Sequence, residues 1–333
     1  MNFIQLSIII PFYNVEDYLH ECLMSILSGN LLNIEIILID DGSTDKSYSI
    51  AKKLEKKYLN LRLYSKNQAG NSAARNWGFE LAIGKYVMFV DSDDIIHPAV
   101  ISEMIGNAEI SGADIVVADF YEFEDGSTTR KIRTDKSLFS QDLVTEEERL
   151  DKLFTIDISF SIWNKLYKSA FLRESKLEFE KYFWGEDLAY VFKAFYKASL
   201  VTKVNGIVYG YRQRKGSLMK NVSMKLLDKL VVMDNLVQFL KSEKKFLKYE
   251  DQLNMLYLKM AFSIFYFVFK NKGDQVNSLK ILTQLRLNER FSRLINTKFP
   301  LFRKLKKNEK ILFLMFRLKI INNLTIKAIL SLT

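Results

Sequence analysis

The sequence predicts an α/β fold, in which a mostly parallel sheet is covered by helices, followed by a helical C-terminal region. Over the first 120 residues, short apolar runs alternate with stretches of helical periodicity, and short polar loops join them. Strands that alternate with helices in this way pair in parallel through right-handed crossovers. Beyond about residue 217 the pattern changes to long helices with interleaved apolar and basic residues. We therefore predict two parts, residues 1–219 and residues 220–333.

The elements of the first part follow from hydrophobic periodicity. Continuous apolar runs are typical of strands buried on both faces, and they predict strands at residues 6–10, 34–39, 61–64, 86–90 and 115–118, with a strand pair or extended segment at 201–211. Apolar positions three and four residues apart predict helices that begin near Asn14, Asp45, Ser72, Pro98 and Asp187. Asn and Asp are helix-capping types, and Pro is favoured in a first turn. Residues 121–150 lack a clear period and are expected to form a polar excursion.

The composition excludes several kinds of site. The chain has one cysteine and two histidines, which excludes an internal disulfide and argues against a zinc enzyme. Cys22 lies on the apolar stripe of the first predicted helix and is expected to be a core residue. His97 is expected at a helix start or on the surface, not on a metal. The chain has neither a Gly-x-x-x-x-Gly-Lys-Ser/Thr loop nor a Gly-x-Gly-x-x-Gly loop, which are typical of phosphate and dinucleotide binding.

Charge is unevenly distributed along the chain. Residues 220–333 contain 23 Lys and Arg against 8 Asp and Glu, whereas residues 1–219 contain 26 against 31. A strongly basic region predicts contact with an anionic partner. Because basic residues adjoin an apolar stretch at 303–316, an anionic membrane surface is favoured. A solvated helical subdomain and a protein interface remain as alternatives. The chain has no nucleic-acid-binding motif, so nucleic acid is not expected.

The sequence shows no sign of a leader or a membrane-spanning segment. The first apolar run lacks a basic leader, and no stretch reaches 18 uninterrupted apolar residues. We therefore expect a cytoplasmic protein, bound peripherally at the inner face of the cell membrane. Phe262–Phe269 is expected to be a buried helix or an oligomer contact. A homo-oligomer is possible, and the oligomeric state stays open.

Acidic residues follow two of the predicted strands, at the sheet edge where ligands bind in open parallel sheets. Helix capping is expected for Asp45 and Asp94. It does not account for Asp41, Asp91 and Asp93 together, because like charges at neighbouring strand ends repel unless a cation or hydrogen-bond donors compensate them. Carboxylates spaced as Asp-x-Asp suit a hard divalent cation that bridges to phosphate oxygens.

These segments, taken in order, resemble family 2 glycosyltransferases of the GT-A fold. The resemblance rests on Ile-Ile-Ile-Pro-Phe-Tyr-Asn (8–14), Ile-Asp-Asp-Gly-Ser-Thr-Asp (39–45), Asn-Gln-Ala-Gly-Asn-Ser-Ala-Ala-Arg-Asn-Trp-Gly (67–78), Asp-Ser-Asp-Asp (91–94), Gly-Glu-Asp (185–187) and Tyr-Arg-Gln-Arg-Lys-Gly-Ser (211–217). It covers about residues 4–219 and implies a GT-A catalytic domain there. The resemblance does not extend to the region from residue 220 onward and implies nothing about it.

The resemblance also implies a donor site. Its nucleotide-binding residues would be Pro11, Tyr13, Asp41, Arg75, Asp91, Ser92, Arg212 and Ser217, and its metal ligands, for Mn²⁺ or Mg²⁺, would be Asp93 and Asp91. In family terms, the first loop borders the base and Asp41 accepts from the N3–H of uracil, while Asp40 orients the loop. Arg75 lies near the donor pyrophosphate, and the segment with Arg212 closes over the diphosphate.

Asp187 matches the family's catalytic base, with Glu186 beside it to position the acceptor or the base. Trp184 could stack against an acceptor sugar or belong to the core. The implied reaction moves a hexose from a UDP-sugar to a saccharide, with lipid linkage of the acceptor expected, in bacterial capsule or related cell-surface polysaccharide synthesis. Attack by a hydroxyl deprotonated by Asp187, from the face opposite the leaving group, would invert the anomeric centre.

Two other functions are weighed against this one. A sugar nucleotidyltransferase usually needs a Gly-rich basic loop after the first strand, where this chain has Pro-Phe-Tyr-Asn at 11–14. A catalytically silent subunit that binds nucleotide sugar at the membrane need not keep Asp41, Asp91, Asp93 and Asp187 together. Both alternatives are therefore disfavoured.

Overall fold

The structure is a computed structural model, and it describes residues 3–29, 31–133, 142–182, 184–214, 222–271, 275–297 and 299–318. The chain divides into two compact units. The sheet unit comprises Met1–Lys181 and Glu186–Lys215, and the helical unit comprises Tyr182–Gly185 and Gly216–Thr333.

The described residues of the sheet unit form a nine-stranded sheet. Its strands are β1 (Leu6–Phe12), β2 (Ile34–Asp40), β3 (Leu61–Ser65), β4 (Tyr86–Phe89), β5 (Ile95–Ile96), β6 (Ile115–Glu124), β7 (Arg130–Arg133), β8 (Lys165–Lys168) and β9 (Val201–Gln213). Their order is β3-β2-β1-β4-β8-β6-β9-β5, and β7 pairs with β6. The strands β1 to β4 pair in parallel, as do β6 and β9, whereas β8 is antiparallel to both neighbours.

The central strands explain why the alternating pattern predicts this sheet. β1 and β2 are buried along their whole length, and their register pairs Leu6 with Ile34 and Phe12 with Asp40. Each fully buried aliphatic side chain stabilises the fold by about 1.5–3 kcal/mol relative to an exposed one. The register also brings the polar residues that follow β1 and β2 to one edge of the sheet. The predicted α/β class is confirmed.

Seven described helices accompany the sheet. They are α1 (Leu19–Leu27), α2 (Ser47–Lys57), α3 (Asn71–Leu81), α4 (Pro98–Ser111), α5 (Glu146–Phe154), α6 (Ser169–Glu174) and α7 (Glu186–Lys197). Cys22 is fully buried on α1, as expected. Pro98 is the first residue of α4 and His97 is its N-cap, which confirms the expected helix start.

Three of the local predictions differ from the structure. Asn14 does not cap α1, which begins at Leu19, because the Asn14 side chain bonds to Thr44 instead. Asp94 caps no helix, since its buried carboxylate accepts a hydrogen bond from the backbone N–H of Arg212 in β9. The supposedly irregular region 121–150 contains the end of β6, all of β7, and α5, which starts with a capping box of Thr145 and Glu148. Asp45 lies one residue before Lys46, the N-cap of α2, and its Oδ1 accepts from the N–H of Ser47, the first residue of that helix, at 2.9 Å.

The helical unit is built from a short 3₁₀ helix, Met224–Leu227, and from α8 (Asp228–Ser242), α9 (Phe246–Lys270), α10 (Gln275–Leu287), α11 (Glu289–Thr297), α12 (Phe299–Phe302) and α13 (Lys307–Arg317). Among the described residues, α9 alone is long and apolar enough to cross a membrane, a possibility that the sequence analysis did not anticipate. However, 61% of its apolar window is buried inside the protein, as in a core helix. Phe262 and Phe265 belong to this buried face, which confirms the expected buried helix.

Two glycines give a matched test of the packing. A Cβ on Gly84 would lie 2.5 Å from the backbone N of Ser7, whereas a Cβ on Gly106, inside α4, would meet nothing within 4 Å. We expect Gly84→Ala to destabilise the fold by about 1–3 kcal/mol, because the backbone must move. Gly106→Ala should stabilise it by about 0.5–1 kcal/mol, because alanine favours a helix. Urea unfolding at a constant m-value measures both. Equal stability of Gly84→Ala and wild type would contradict the packing described here.

Candidate functional site

The loops after β1 and β2 are joined by Asn14. Its φ is 49°, a left-handed conformation that Asn tolerates. Its Oδ1 accepts from the N–H of Thr44 at 2.8 Å, and its Nδ2 donates to Thr44 Oγ1 at 3.2 Å. Pro11 pairs with Ile39 inside the sheet, and Tyr13 is 41% exposed. The ring of Tyr13 is thus accessible to a ligand at this edge, and its contact with a base stays a prediction.

Asp40 and Asp41, at the end of β2, hold two different loops. Asp40 accepts from the N–H of Ser43 at 3.0 Å and from Ser65 Oγ at 2.8 Å. The two oxygens of Asp41 accept from the N–H groups of Ala69 and Gly70, both at 2.8 Å. Asp41 therefore fixes the start of α3. A carboxylate oxygen has more than one lone pair, so Asp41 can still accept a hydrogen bond from a ligand.

Arg75, on α3, lies at the centre of a cluster of three carboxylates. Its side chain is 2% exposed. Nη2 donates to Asp91 Oδ1 at 2.8 Å, and Nη1 donates to Asp187 Oδ1 at 2.9 Å and to Glu186 Oε1 at 3.4 Å. One guanidinium thus connects the end of β4 to the start of α7. We call these four residues the Arg75 cluster.

The Arg75 cluster holds more negative than positive charge, which alters its titration. Burial raises the pKa of Asp187 to about 7; Arg75 opposes this rise, and Glu186 and Asp91 add to it. Burial also raises the pKa of Glu186, again against Arg75. Burial disfavours the Arg75 charge, but the three carboxylates outweigh it and raise the pKa of Arg75. The side chain of Asp187 is 27% exposed. Asp187 is therefore a solvent-accessible carboxylate whose pKa lies near neutral pH, as is common at functional sites.

The segment before α7 is held by two residues that the sequence analysis did not single out. Asn76 Nδ2 donates to the carbonyl of Phe179 at 2.9 Å, and the N–H of Phe179 donates to Asn76 Oδ1 at 2.8 Å. The Phe179 ring lies 5.4 Å from the Arg75 guanidinium and stacks on Tyr190 of α7 at 3.9 Å. Asn76 directly follows Arg75 within the segment 67–78 that carries the family resemblance, and this position was its signal in the sequence.

β9 holds the loop at 91–94. Asp94 is buried, and it accepts from the hydroxyl of Tyr209 and from the N–H of Arg212, both at 2.7 Å. The N–H of Asp91 donates to the same Tyr209 hydroxyl at 3.1 Å. Ser92, within this loop, is 6% exposed. The acidic loop is therefore a fixed part of the sheet unit.

Two arginines of β9 and its end are engaged with acidic residues and backbone. Arg212 is 7% exposed and donates to Asp125, to Glu21 and to the carbonyl of Asp93. Its implied contact with a diphosphate stays a prediction, as does that of Arg75. Arg214 Nε lies 2.7 Å from Asp93 Oδ2. The sequence analysis did not single out Arg214, although it lies in the segment 211–217 that carries the family resemblance.

Ser217, which was also predicted to contact the donor, lies outside the described residues. Trp184 is 6% exposed and packs against Phe267 with ring centroids 6.2 Å apart, which favours its core interpretation.

Asp91 and Asp93 fit a divalent cation that is shared with a ligand. Burial raises the pKa of Asp93; Arg214 opposes this rise, and Asp91 adds to it. Both side chains are partly exposed, so a ligand can reach them. Within the described part of the chain, no three His, Cys, Asp or Glu side chains are grouped to hold a metal. Mg²⁺ is commonly held by one or two carboxylates together with substrate phosphates. Asp91 and Asp93 thus fit a cation that is also coordinated by a ligand, and they do not form a complete set of protein ligands.

A cavity of about 470 Å³ in the sheet unit lies beside this site. Its lining includes Glu21, Tyr121, Phe123, Arg130 and Arg212, but not the acids of the Arg75 cluster. We place the candidate site at the Arg75 cluster and the 91–94 loop, because Asp187, the carboxylate with a pKa near neutral, lies in that cluster.

Comparisons with known proteins agree on one family. The sequence profile described as Glycosyl transferase family 2 matches residues 7–175, just over half of the chain. The chain is 33% identical over 238 residues to the glycosyltransferase GlyA of Streptococcus pneumoniae, covering 68% of this chain but only 33% of that protein. It is 30% identical over 275 residues to the cholesterol galactosyltransferase of Borreliella burgdorferi, covering 79% and 74%.

Among solved structures, residues 1–349 of TarS from S. aureus in complex with UDP-GlcNAc match with a TM-score of 0.69 and 23% identity. The match covers 98% of this chain and 91% of that one. At this identity the likeness shows the fold, and the predicted GT-A fold is confirmed.

The Arg75 cluster predicts a large effect of one substitution. Arg75→Gln should destabilise the protein by about 3–5 kcal/mol, because it leaves three partly buried carboxylates without their shared cation. Arg133→Gln is a suitable control, since Arg133 is 44% exposed and pairs with Glu122 at the surface. The control should change stability by no more than about 0.5 kcal/mol. Chemical unfolding measures both, and similar effects of the two substitutions would contradict a central role for Arg75.

Proposed function

The chain belongs to glycosyl transferase family 2, and from this premise we propose that it is an inverting enzyme that transfers a sugar from a UDP-sugar to a saccharide. Its glycosyltransferase activity follows from the family and from the named glycosyltransferases among its relatives. The observation that supports the proposed mechanism is the Arg75 cluster, in which the Arg75 guanidinium forms salt bridges with both Asp91 and Asp187.

The proposed donor site uses the edge formed by the ends of β1, β2 and β4. Tyr13 borders the base, and Asp41 accepts from uracil. Asp91 and Ser92 lie near the ribose or the donor sugar. The UDP-GlcNAc in the TarS complex supports the choice of a UDP-sugar. In this proposal Asp91 and Asp93 hold Mn²⁺ or Mg²⁺, and such a cation, when bound, offsets charge on the diphosphate oxygens.

The proposed base is Asp187. Its Oδ1 accepts from Arg75, which fixes the orientation of the carboxylate and leaves Oδ2 as the oxygen that receives the acceptor's proton. A hydroxyl is a weak nucleophile, and removal of its proton in the transition state accelerates attack on the anomeric carbon. The new bond forms on the face opposite the departing diphosphate, so the anomeric configuration inverts. Glu186, beside Asp187, positions the acceptor or the base.

Arg75 has a positioning role in this mechanism. Its positive charge opposes the rise in the pKa of Asp187, so that the base is substantially ionised near neutral pH. Arg212, Arg214 and Ser217 belong to the segment proposed to approach the diphosphate. Arg214 already lies beside Asp93, and this supports its inclusion.

The acceptor is proposed to be a lipid-linked saccharide, in capsule or another bacterial cell-surface polysaccharide. Residues 1–219 would then be the catalytic domain, and the basic residues 220–333 would bring it to the inner face of the cell membrane. The poly(ribitol-phosphate) beta-glucosyltransferase among the relatives, 31% identical over 206 residues, supports an extended acceptor. The family and these relatives favour a glycosyltransferase over the nucleotidyltransferase and the silent subunit.

Asp187→Asn tests the proposed base. We expect kcat to fall by about 10²–10⁴-fold while the affinity for UDP is kept, because only proton removal is lost. The kcat/KM of the wild type should rise with pH through about 7, since the raised pKa keeps the base protonated below that pH. Asp151→Asn, at an exposed position of α5, is the control. A parallel loss of UDP affinity in Asp187→Asn would assign Asp187 to donor binding instead.

Calorimetric titration with UDP, with and without Mn²⁺, tests the donor site. We expect Mn²⁺ to strengthen UDP binding in the wild type, and this enhancement to disappear in Asp93→Asn, because the protein supplies only two carboxylates to the cation. Asp17→Asn, an exposed acid near the first loop, should behave as wild type. UDP binding that is unaffected by Mn²⁺ would overturn the metal assignment, and absence of UDP binding would point to another nucleotide.

A further inference from the structure

The helix α13 carries apolar side chains on two opposite faces. On the inner face, Leu312, Phe313 and Phe316 are at most 8% exposed. Phe316 packs edge-on against Phe291 of α11 at a centroid distance of 4.9 Å. The inner face therefore holds α13 in the helical unit. Among the residues that the structure describes, the outer face has no such role.

Three aliphatic side chains lie on the outer face. Ile311, Leu314 and Leu318 are 50%, 37% and 66% exposed. Their spacing of three and four residues places them on one side of the helix and of its C-cap, Leu318. We call them the outer stripe. Single exposed aliphatic residues are ordinary on protein surfaces, but a contiguous apolar patch marks an interaction site.

The charged side chains around the outer stripe are almost all basic. Residues 303–318 contain six Lys and Arg and one acid, Glu309. Glu309 is already used inside the helix start, where its Oε2 accepts from the N–H of Lys306 at 2.8 Å. The exposed cations lie immediately before or at the start of α13, at 303, 304, 306 and 307. The surface therefore offers apolar contact and positive charge together.

This combination distinguishes between possible partners. A second copy of the chain would place like charges opposite each other, which disfavours self-association. An anionic phospholipid surface supplies acyl chains for the aliphatic residues and negative headgroups for the cations. Among the described residues of the preceding helices, the exposed aliphatic side chains are isolated from one another: Val231 on α8, Leu247 on α9, and Val276 and Leu287 at opposite ends of α10.

We propose that the outer stripe and its basic flank form the membrane-binding surface of this chain, with α13 lying in the plane of an anionic bilayer. The basic region has more than a hundred residues, and the proposal assigns membrane binding to one helix face within it. It goes beyond the sugar transfer reaction and does not rest on it, since the surface lies in the helical unit and involves none of the residues assigned to donor or base.

Co-sedimentation with vesicles tests this surface. Wild type should pellet with vesicles of phosphatidylcholine and phosphatidylglycerol but not with phosphatidylcholine alone, and added salt should weaken the binding. The variant Ile311→Ser/Leu314→Ser/Leu318→Ser should bind at least about tenfold more weakly. Replacing Arg303, Lys304, Lys306 and Lys307 by Gln should remove the preference for the anionic lipid.

Matched controls come from the same unit. Val231→Ser/Leu247→Ser/Val276→Ser removes three aliphatic residues that are 49%, 85% and 64% exposed on other helices. The variant Lys241→Gln/Lys244→Gln/Lys245→Gln/Lys248→Gln removes four cations elsewhere in the unit. Both controls should pellet as wild type does. UDP affinity should be unchanged in every variant, so failure of the membrane proposal is separable from failure of the proposed reaction.

Several outcomes would overturn the proposal. Equal pelleting of wild type and the outer-stripe variant is one of them. If the outer-stripe variant lowers the unfolding midpoint and leaves lipid binding intact, the stripe contributes to folding and not to lipid binding. If that variant does not fold, the four-Gln variant, which changes only exposed side chains, still decides the question. Saturable binding to a polyglutamate peptide, without binding to anionic vesicles, would indicate an acidic protein partner.

Discussion

The arrangement of the site depends on the salt bridges that Arg75 makes with Asp91, Glu186 and Asp187. These acids come from two distant parts of the chain, and without a shared cation their carboxylates would repel each other. Arg75 can reach them because α3 packs close against the sheet. At Gly78 a Cβ would lie 2.4 Å from Ile9 Cγ2, so only glycine permits this approach. At its other end, α3 starts where Asp41 binds Ala69 and Gly70. The position of the proposed base is therefore linked to the end of β2.

The same cluster has excess negative charge, which contributes to the raised pKa of the proposed base. One guanidinium faces three carboxylates, and burial makes full ionisation unfavourable, so the pKa of Asp187 rises to about 7. A fully balanced cluster would hold its acids firmly ionised, with a low pKa, and would be a weaker base. In the loop at 91–94, burial likewise raises the pKa of Asp93, and Arg214 opposes this rise only in part. In the proposed function, a bound cation or a ligand that donates hydrogen bonds would offset this negative charge.

β9 provides the rigid frame for this charge. Asp94, buried and bonded to Tyr209 and to the backbone of Arg212, turns the acidic loop into an extension of the sheet. The buried carboxylate and its two donors are satisfied within the protein, whereas the neighbouring Asp91 and Asp93 keep 28% and 22% of their side chains exposed. Four adjacent positions therefore contain both a structural acid and two acids that a ligand can reach. The division of roles depends on which side of the loop each residue faces.

The sequence alone determined the α/β class, most of the strands and helices, the acids at the strand ends and the family, because periodicity and motif spacing are local properties of the chain. It also indicated that Asp187 and Asp91 belong to one site. Only the tertiary structure decided how these residues meet. The three acids around Arg75 were not anticipated, Asp94 was expected to cap a helix and instead anchors β9, and Arg214 was not anticipated beside Asp93. The antiparallel position of β8 between β4 and β6 was equally hidden. Each of these contacts joins residues that are far apart in the chain, and their pairing is set by how helices and strands pack, which no local pattern contains.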